Sequence, residues 1–87
     1  MNVQQLVALN LRKIRVEASV SQEALAVDAE IDRTCVSRLE RGLENPTIGV
    51  LERIANALDA KIVDFFKASS PGEKKAKPLP SGRRPRK

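Results

Sequence analysis

The sequence of 87 residues predicts an all-α fold, five short helices packed in one compact domain, followed by a basic tail. Three observations carry this. From Val3 to Lys67 the apolar residues recur at steps of three and four and strict alternation never persists, which is helical periodicity and not that of strands. Side chains that start and stop helices, Ser21, Asp32, Gly42 and Thr47, punctuate that pattern every few turns. With Phe65 and Phe66 as the only aromatics, the core is built from aliphatic side chains. A chain this short buries about 60% of its unfolded surface, so support from a second copy is expected.

The first helix is expected from about Gln4 to about Ala18, with Val7, Leu11 and Ile14 as one stripe. Ser21 is placed to cap the second, about Gln22 to Asp28, by accepting from the free amides of its first turn; Leu25 and Ala26 face inward. Ala29, Glu30 and Ile31 make a tight connection, and Asp32 is expected to cap the third helix, about Arg33 to Arg41, which buries Val36 and Leu39. Gly42 stops it. Asn45-Pro46-Thr47 opens a fourth helix whose inner face is read as Ile48, Leu51, Ile54, Ala55 and Leu58. A fifth, about Lys61 to Lys67, offers Ile62, Phe65 and Phe66; one phenylalanine is expected in the core, Phe66, and the other at a surface.

The net charge of +5 is unevenly placed. Residues 1–68 hold nine bases and ten acids, a net −1, whereas residues 69–87 hold seven bases and one acid, a net +6. That second stretch, SSPGEKKAKPLPSGRRPRK, carries four of the five prolines, and Leu79 is its only large apolar residue. Too little apolar surface is available there to offset the entropy of ordering, so residues 69–87 are expected to be a disordered cationic tail, separate from a domain over 1–68. Such a tail attracts nucleic acid or keeps the chain soluble, with attraction to an anionic membrane surface a distant third.

Several function classes are closed. There is no His and a single Cys, Cys35, which excludes a Cys/His zinc site, an internal disulfide and any catalysis needing an imidazole. No metal, cofactor or enzymatic role is expected. No apolar run approaches the ~20 residues of a membrane span, and the start MNVQQLVALNLRK lacks the features of a signal peptide, so a cytoplasmic protein without a membrane partner is expected.

Two short helices joined by about three residues, the second presenting polar side chains outward, meet the requirements of a DNA-reading helix-turn-helix. The residues sharpen that corner: SQEALA at 21–26, IDRTCVSRLERG at 31–42, NPT at 45–47 and LERIANAL at 51–58. At these spacings, over roughly residues 7 to 66, the chain resembles the phage repressor/Cro-type helix-turn-helix family, also called the xenobiotic-response-element family. The resemblance implies a repressor-like fold and a sequence-specific regulator of transcription that binds double-stranded DNA as a homodimer, over an operator with two-fold symmetry. Brevity and the IDRTCVSRLERG stretch also resemble the controller proteins of restriction-modification systems. An antitoxin, or a protein-interaction module on the same fold, is the alternative.

Carried across residue by residue, the resemblance places Arg33, Thr34, Ser37 and Arg38 on the base-reading face. An arginine fork pairs with O6 and N7 of guanine and discriminates by ~1–3 kcal/mol, so G·C pairs are expected in each half-site. Ser21, Gln22, Arg41 and Thr47 match phosphate-holding positions at helix starts and at the end of the third helix. Arg15 and Glu40 match a structural ion pair that fastens the first helix to the third. Ile62, Val63 and Phe65 match the dimer surface. Three features depart from the family. Ser19 and Glu30 stand where glycine is usual, and a left-handed backbone there costs about 1 kcal/mol. Leu43 and Glu44 stand where relatives often carry a base, and Glu44 would repel an approaching phosphate. Cys35, with no resolving partner in the chain, is expected to be a packed thiol of low reactivity. The chain ends where many relatives continue into a sensing domain, so no small-molecule ligand is expected. When bound to DNA the protein would be nucleoid-associated.

Overall fold

The computed structural model describes residues 2–68 as four α-helices and a closing 3-10 segment: α1 (Val3–Glu17), α2 (Gln22–Ala29), α3 (Arg33–Glu40), α4 (Ile48–Ala57), then Ile62–Phe66 in the 3-10 conformation. The described residues contain no strand. The tail expected over 69–87 lies outside them.

Each helix starts on an extended residue. Asn2 opens α1 with a reciprocal pair of bonds: its Oδ1 accepts from the Gln5 amide at 2.8 Å, and Gln5 Oε1 accepts from the Asn2 amide at 3.0 Å. Ser21 Oγ accepts from the Ala24 amide at 3.0 Å, and Thr47 Oγ1 from the Val50 amide at 3.1 Å. Asp32 corrects an expectation. It occupies the cap position of α3, but its carboxylate makes no capping bond; the amides of Cys35 and Val36 are taken by its backbone carbonyl instead. The exposed carboxylate then favours the helix only through its charge near the positive end.

The four helices end alike. Beyond each last turn a residue with positive φ reverses the chain: Ser19 at 59°, Glu30 at 61°, Gly42 at 73° and Asp59 at 57°. After α3 the Gly42 amide donates to the Leu39 carbonyl and the Leu43 amide to the Arg38 carbonyl, the paired bonds of a Schellman turn. The same pairing runs from Ser19 and Val20 to Val16 and Arg15, from Glu30 and Ile31 to Val27 and Ala26, and from Asp59 and Ala60 to Asn56 and Ala55. Left-handed backbone at Ser19 and Glu30 matches the positions where glycine is missing; at Asp59 it falls on a residue type that takes this backbone more readily than most.

The core gathers Val7 and Leu11 of α1, Leu25, Ala26 and Ala29 of α2, Val36 and Leu39 of α3, Leu51, Ile54, Ala55 and Leu58 at α4, and Phe65. α1 packs on α3 and on the 3-10 segment, and α2 packs on α3 and α4. Ile48, expected inside, is 76% exposed, because it opens α4 ahead of the stretch that reaches the core at Val50 and Leu51. One polar side chain is buried with the apolar ones: Asn10, 4% exposed, donates from Nδ2 to the carbonyls of Phe65 at 2.8 Å and Lys67 at 2.9 Å.

The final segment corrects a second expectation. Phe65 is fully buried, Phe66 is 41% exposed, Val63 is exposed and Ile62 is half-buried against the core. An α-helix would put Ile62, Phe65 and Phe66 on one side. In a 3-10 helix of three residues per turn, positions three apart eclipse, so Ile62 and Phe65 point inward while Val63 and Phe66 share the outer side. Phe65 is therefore a core residue and not a surface one. Asp64 fixes the start of this turn by accepting from the Lys61 amide at 3.0 Å, and it pairs with Lys67 at 2.9 Å. Those contacts, the Lys61 amide first, draw its carboxyl below the ordinary range.

Candidate nucleic-acid interface

α2, the turn Glu30-Ile31 and α3 form the helix-turn-helix corner, and two other elements hold it. From α4, Arg53 Nη2 donates to the Glu30 carbonyl at 3.3 Å, engaging the residue whose backbone is left-handed. From α1, Arg15 reaches the end of α3. Its Nε donates to Glu40 Oε2 at 2.5 Å and its Nη2 to Glu40 Oε1 at 2.9 Å, a two-pronged pair with side chains 13% and 3% exposed. Arg15 Nη1 also donates to the Val20 carbonyl at 2.8 Å, so the guanidinium spans the turn after α1 as well. The hydrogen bond with Glu40, opposed by burial, raises the pKa of Arg15, which stays charged throughout the working range.

Gln22, at the first position of α2, joins the same carboxylate: its Nε2 donates to Glu40 Oε1 at 3.0 Å. Glu40 thus fastens three helices together. The second proton of the Gln22 amide is left for another acceptor. The hydroxyls of Ser21 and Thr47 accept from the amides they cap, and each retains its own proton in the same way.

The outer side of α3 is polar. Arg33, Thr34 and Arg38 are exposed and Ser37 is half-buried; with Arg41, just past the helix, they line one surface depression of about 260 Å³. All the residues expected to read bases are thereby brought together, with one from the phosphate-holding set. The partner of Arg38 lies beyond the turn that ends α3. Glu44 Oε1 accepts from Arg38 Nε at 2.7 Å, and the Leu43 carbonyl accepts from Arg38 Nη2 at 3.2 Å. Glu44 therefore turns toward Arg38, which neutralises much of the repulsion expected of it.

Cys35 is half-buried on α3 beside this surface. Burial, followed by the carboxylates of Glu44 and Asp32, raises the pKa of its thiol, with Arg38 acting in the opposite sense. Among the described residues no group of three or more His, Cys, Asp or Glu is placed to hold a metal, and no helix is long and apolar enough to cross a membrane.

Comparison with known proteins bears on this corner. The family model described as "Helix-turn-helix" matches residues 11–65, from the middle of α1 to Phe65. Control protein C.BamHI of Bacillus amyloliquefaciens is 35% identical over 66 residues, covering 75% of this chain and 82% of that protein. The crystal structure of the restriction-modification controller protein C.AhdI from Aeromonas hydrophila superposes with a TM-score of 0.71 at 32% identity, covering 72% of this chain and 96% of that one. A transcriptional regulator of the same family from Vibrio cholerae gives a TM-score of 0.69 at 30% identity; 72% of this chain is covered, but the match spans 35% of that longer protein. These relatives are regulators and controller proteins, and none is described as an enzyme.

Proposed function

The chain belongs to the helix-turn-helix family of transcriptional regulators, and on that premise we propose that it binds double-stranded DNA sequence-specifically, as a homodimer. In this reading α3 enters the major groove. Arg33, Thr34, Ser37 and Arg38 meet base edges, while Ser21, Gln22, Arg41 and Thr47 hold phosphates on either side. The observation that carries the reading is the shared depression on α3, a surface of three arginines and two hydroxyls on a domain whose net charge is −1. In a protein body with so little overall attraction for DNA, such a concentration of donors is a local feature.

Two copies are needed because one short helix covers too few base pairs, whereas a dimer reads half-sites about one turn, ~34 Å, apart. Val63 and Phe66, on the outer side of the 3-10 segment, supply the apolar contact between copies. The basic residues of 69–87 form a second, unspecific source of attraction, and the protein works in the cytoplasm, on the nucleoid. Similarity to C.BamHI and C.AhdI favours a controller of a restriction-modification system over an antitoxin.

Selection of binding sites from random duplex DNA tests the proposal. A two-fold symmetric sequence with G·C pairs in each half-site is expected, and Arg38→Ala should relax the preference at one of those pairs in each half. If no symmetric sequence is enriched, the dimeric reading is wrong.

A further inference from the structure

Arg38 projects into the depression on α3, yet one side of its guanidinium is already engaged. Nε donates to Glu44 and Nη2 to the Leu43 carbonyl, and both acceptors lie past the left-handed Gly42 turn, which folds the chain back beside the last turn of α3. A guanidinium has five N–H donors in one rigid plane. The three left over include at least one on each terminal nitrogen, as the end-on fork that fits O6 and N7 of guanine requires. The Nε side, through which an arginine also grips a phosphate in two-pronged fashion, is occupied by Glu44.

We infer that Glu44 is a positioning residue for base recognition: it braces Arg38 through Nε so that the terminal fork of the guanidinium is presented to a guanine edge. This rests on the DNA-binding reading above. An unbraced arginine gives up rotamer freedom when it meets the base, whereas a braced one has given it up beforehand. The carboxylate has a second effect. By offsetting the charge of Arg38 it weakens the pull toward any phosphate, so binding depends more on the correct base. The side chains are 47% and 38% exposed, and an ion pair so open to solvent adds little to fold stability. Its effect is on orientation and selectivity.

The experiment uses the full chain and the duplex it selects from random DNA. Arg38→Ala identifies the base pair that Arg38 reads, as the position whose substitution no longer matters. Discrimination at that pair is then measured for Glu44→Ala and Glu44→Gln, with thermal melting recorded for each. Glu44→Ala should lose about tenfold in discrimination at that pair and at no other. Glu44→Gln keeps an acceptor oxygen at the same reach and should stay within about threefold of the unaltered chain, since a neutral acceptor retains part of the brace. Both variants should steepen the log-log salt dependence by about 0.9, the effect of one more uncompensated cation, and both should melt like the unaltered chain. Unchanged discrimination in Glu44→Ala overturns the inference, as does an equal loss in Ala and Gln variants, which would assign the effect to charge alone. If the unaltered chain enriches no sequence, the DNA-binding reading fails and the inference with it. If a sequence is enriched but Arg38→Ala changes no single position, only the role of Glu44 fails.

Discussion

Gln22 Nε2 and both prongs of Arg15 converge on the carboxylate of Glu40, with Gln22 at 3.0 Å. The residue that opens α2 is thereby tied to the end of α3, and both to α1. The angle between the two helices of the corner depends on one carboxylate that is 3% exposed.

Removing that carboxylate strands a largely buried guanidinium. Glu40→Ala should lower stability by ~3–5 kcal/mol, measured by urea denaturation. Gln22→Ala, which removes one neutral donor, should cost about 1 kcal/mol. Loss of DNA binding in Glu40→Ala should follow the loss of fold. A Glu40→Ala protein that melts like the unaltered chain and still fails to bind would show that Glu40 acts otherwise.

Asn10 carries a separate prediction. Its two bonds to the carbonyls of Phe65 and Lys67 are the fastening between α1 and the end of the domain. Asn10→Ala leaves those acceptors without their partner and should destabilise by about 1–3 kcal/mol. Asn10→Leu should do no better, since the leucine side chain would meet the same two carbonyls. Equal stability of Asn10→Leu and the unaltered chain would show that the bonds hold nothing.

Three of the four helix ends use a left-handed residue that is not glycine, at Ser19, Glu30 and Asp59. Glycine takes that backbone without the clash of Cβ with the carbonyl, so Glu30→Gly and Asp59→Gly should each stabilise by about 1 kcal/mol, less the entropy that glycine loses on folding. The two are in different turns and should add. Thermal melting of the double variant is the measurement; a lower midpoint would mean that side-chain contacts of these residues outweigh the backbone strain.

The thiol of Cys35 supplies a pH dependence. Its pKa is raised in the folded chain, so the folded state holds the proton more tightly than the unfolded one. The stability it contributes is present below the ordinary thiol pKa of about 8.5 and is lost as pH rises through the folded value. Alkylation by iodoacetamide near neutral pH should be slower than that of a free cysteine, and unfolding in urea should abolish the difference. Equal rates in the folded chain and in free cysteine would exclude a shielded thiol.

Much of this fold could be read from periodicity and caps. Ser21 and Thr47 start helices through their hydroxyls, Gly42 ends one, and the spacing of Leu51, Ile54, Ala55 and Leu58 sets the inner face of α4. Phe65 and Phe66 exchange the places that apolar spacing predicts, because a change from 3.6 to three residues per turn rotates the last position by more than a third of a half-turn, and spacing over five residues does not separate the two helices. Asp32 has the residue type of a cap, but type alone does not separate a side-chain acceptor from a backbone carbonyl that takes the same amides. Of the candidate site, the helix-turn-helix resemblance singles out the α3 arginines, and helical spacing adds only that Arg33 and Arg38 share an outward side. Their bracing is not legible in the sequence: Arg38 and Glu44 are six apart across a reversal, a separation that no regular element brings together, and Arg53 reaches Glu30 from a different helix. Asn10 left one trace, a polar residue three after Val7 and one before Leu11 on the buried face of α1.

The bonds from Asn10 also set an order of events during synthesis. They join residues 55 and 57 positions apart, whereas the Arg15–Glu40 pair spans 25. Long loops close later and more slowly than short ones. On an emerging chain α1, α2 and α3 can therefore assemble around Glu40 while Asn10 still faces water. Closing the domain onto Asn10 needs both Phe65 and Lys67, so these bonds are the last of the long-range polar contacts to form.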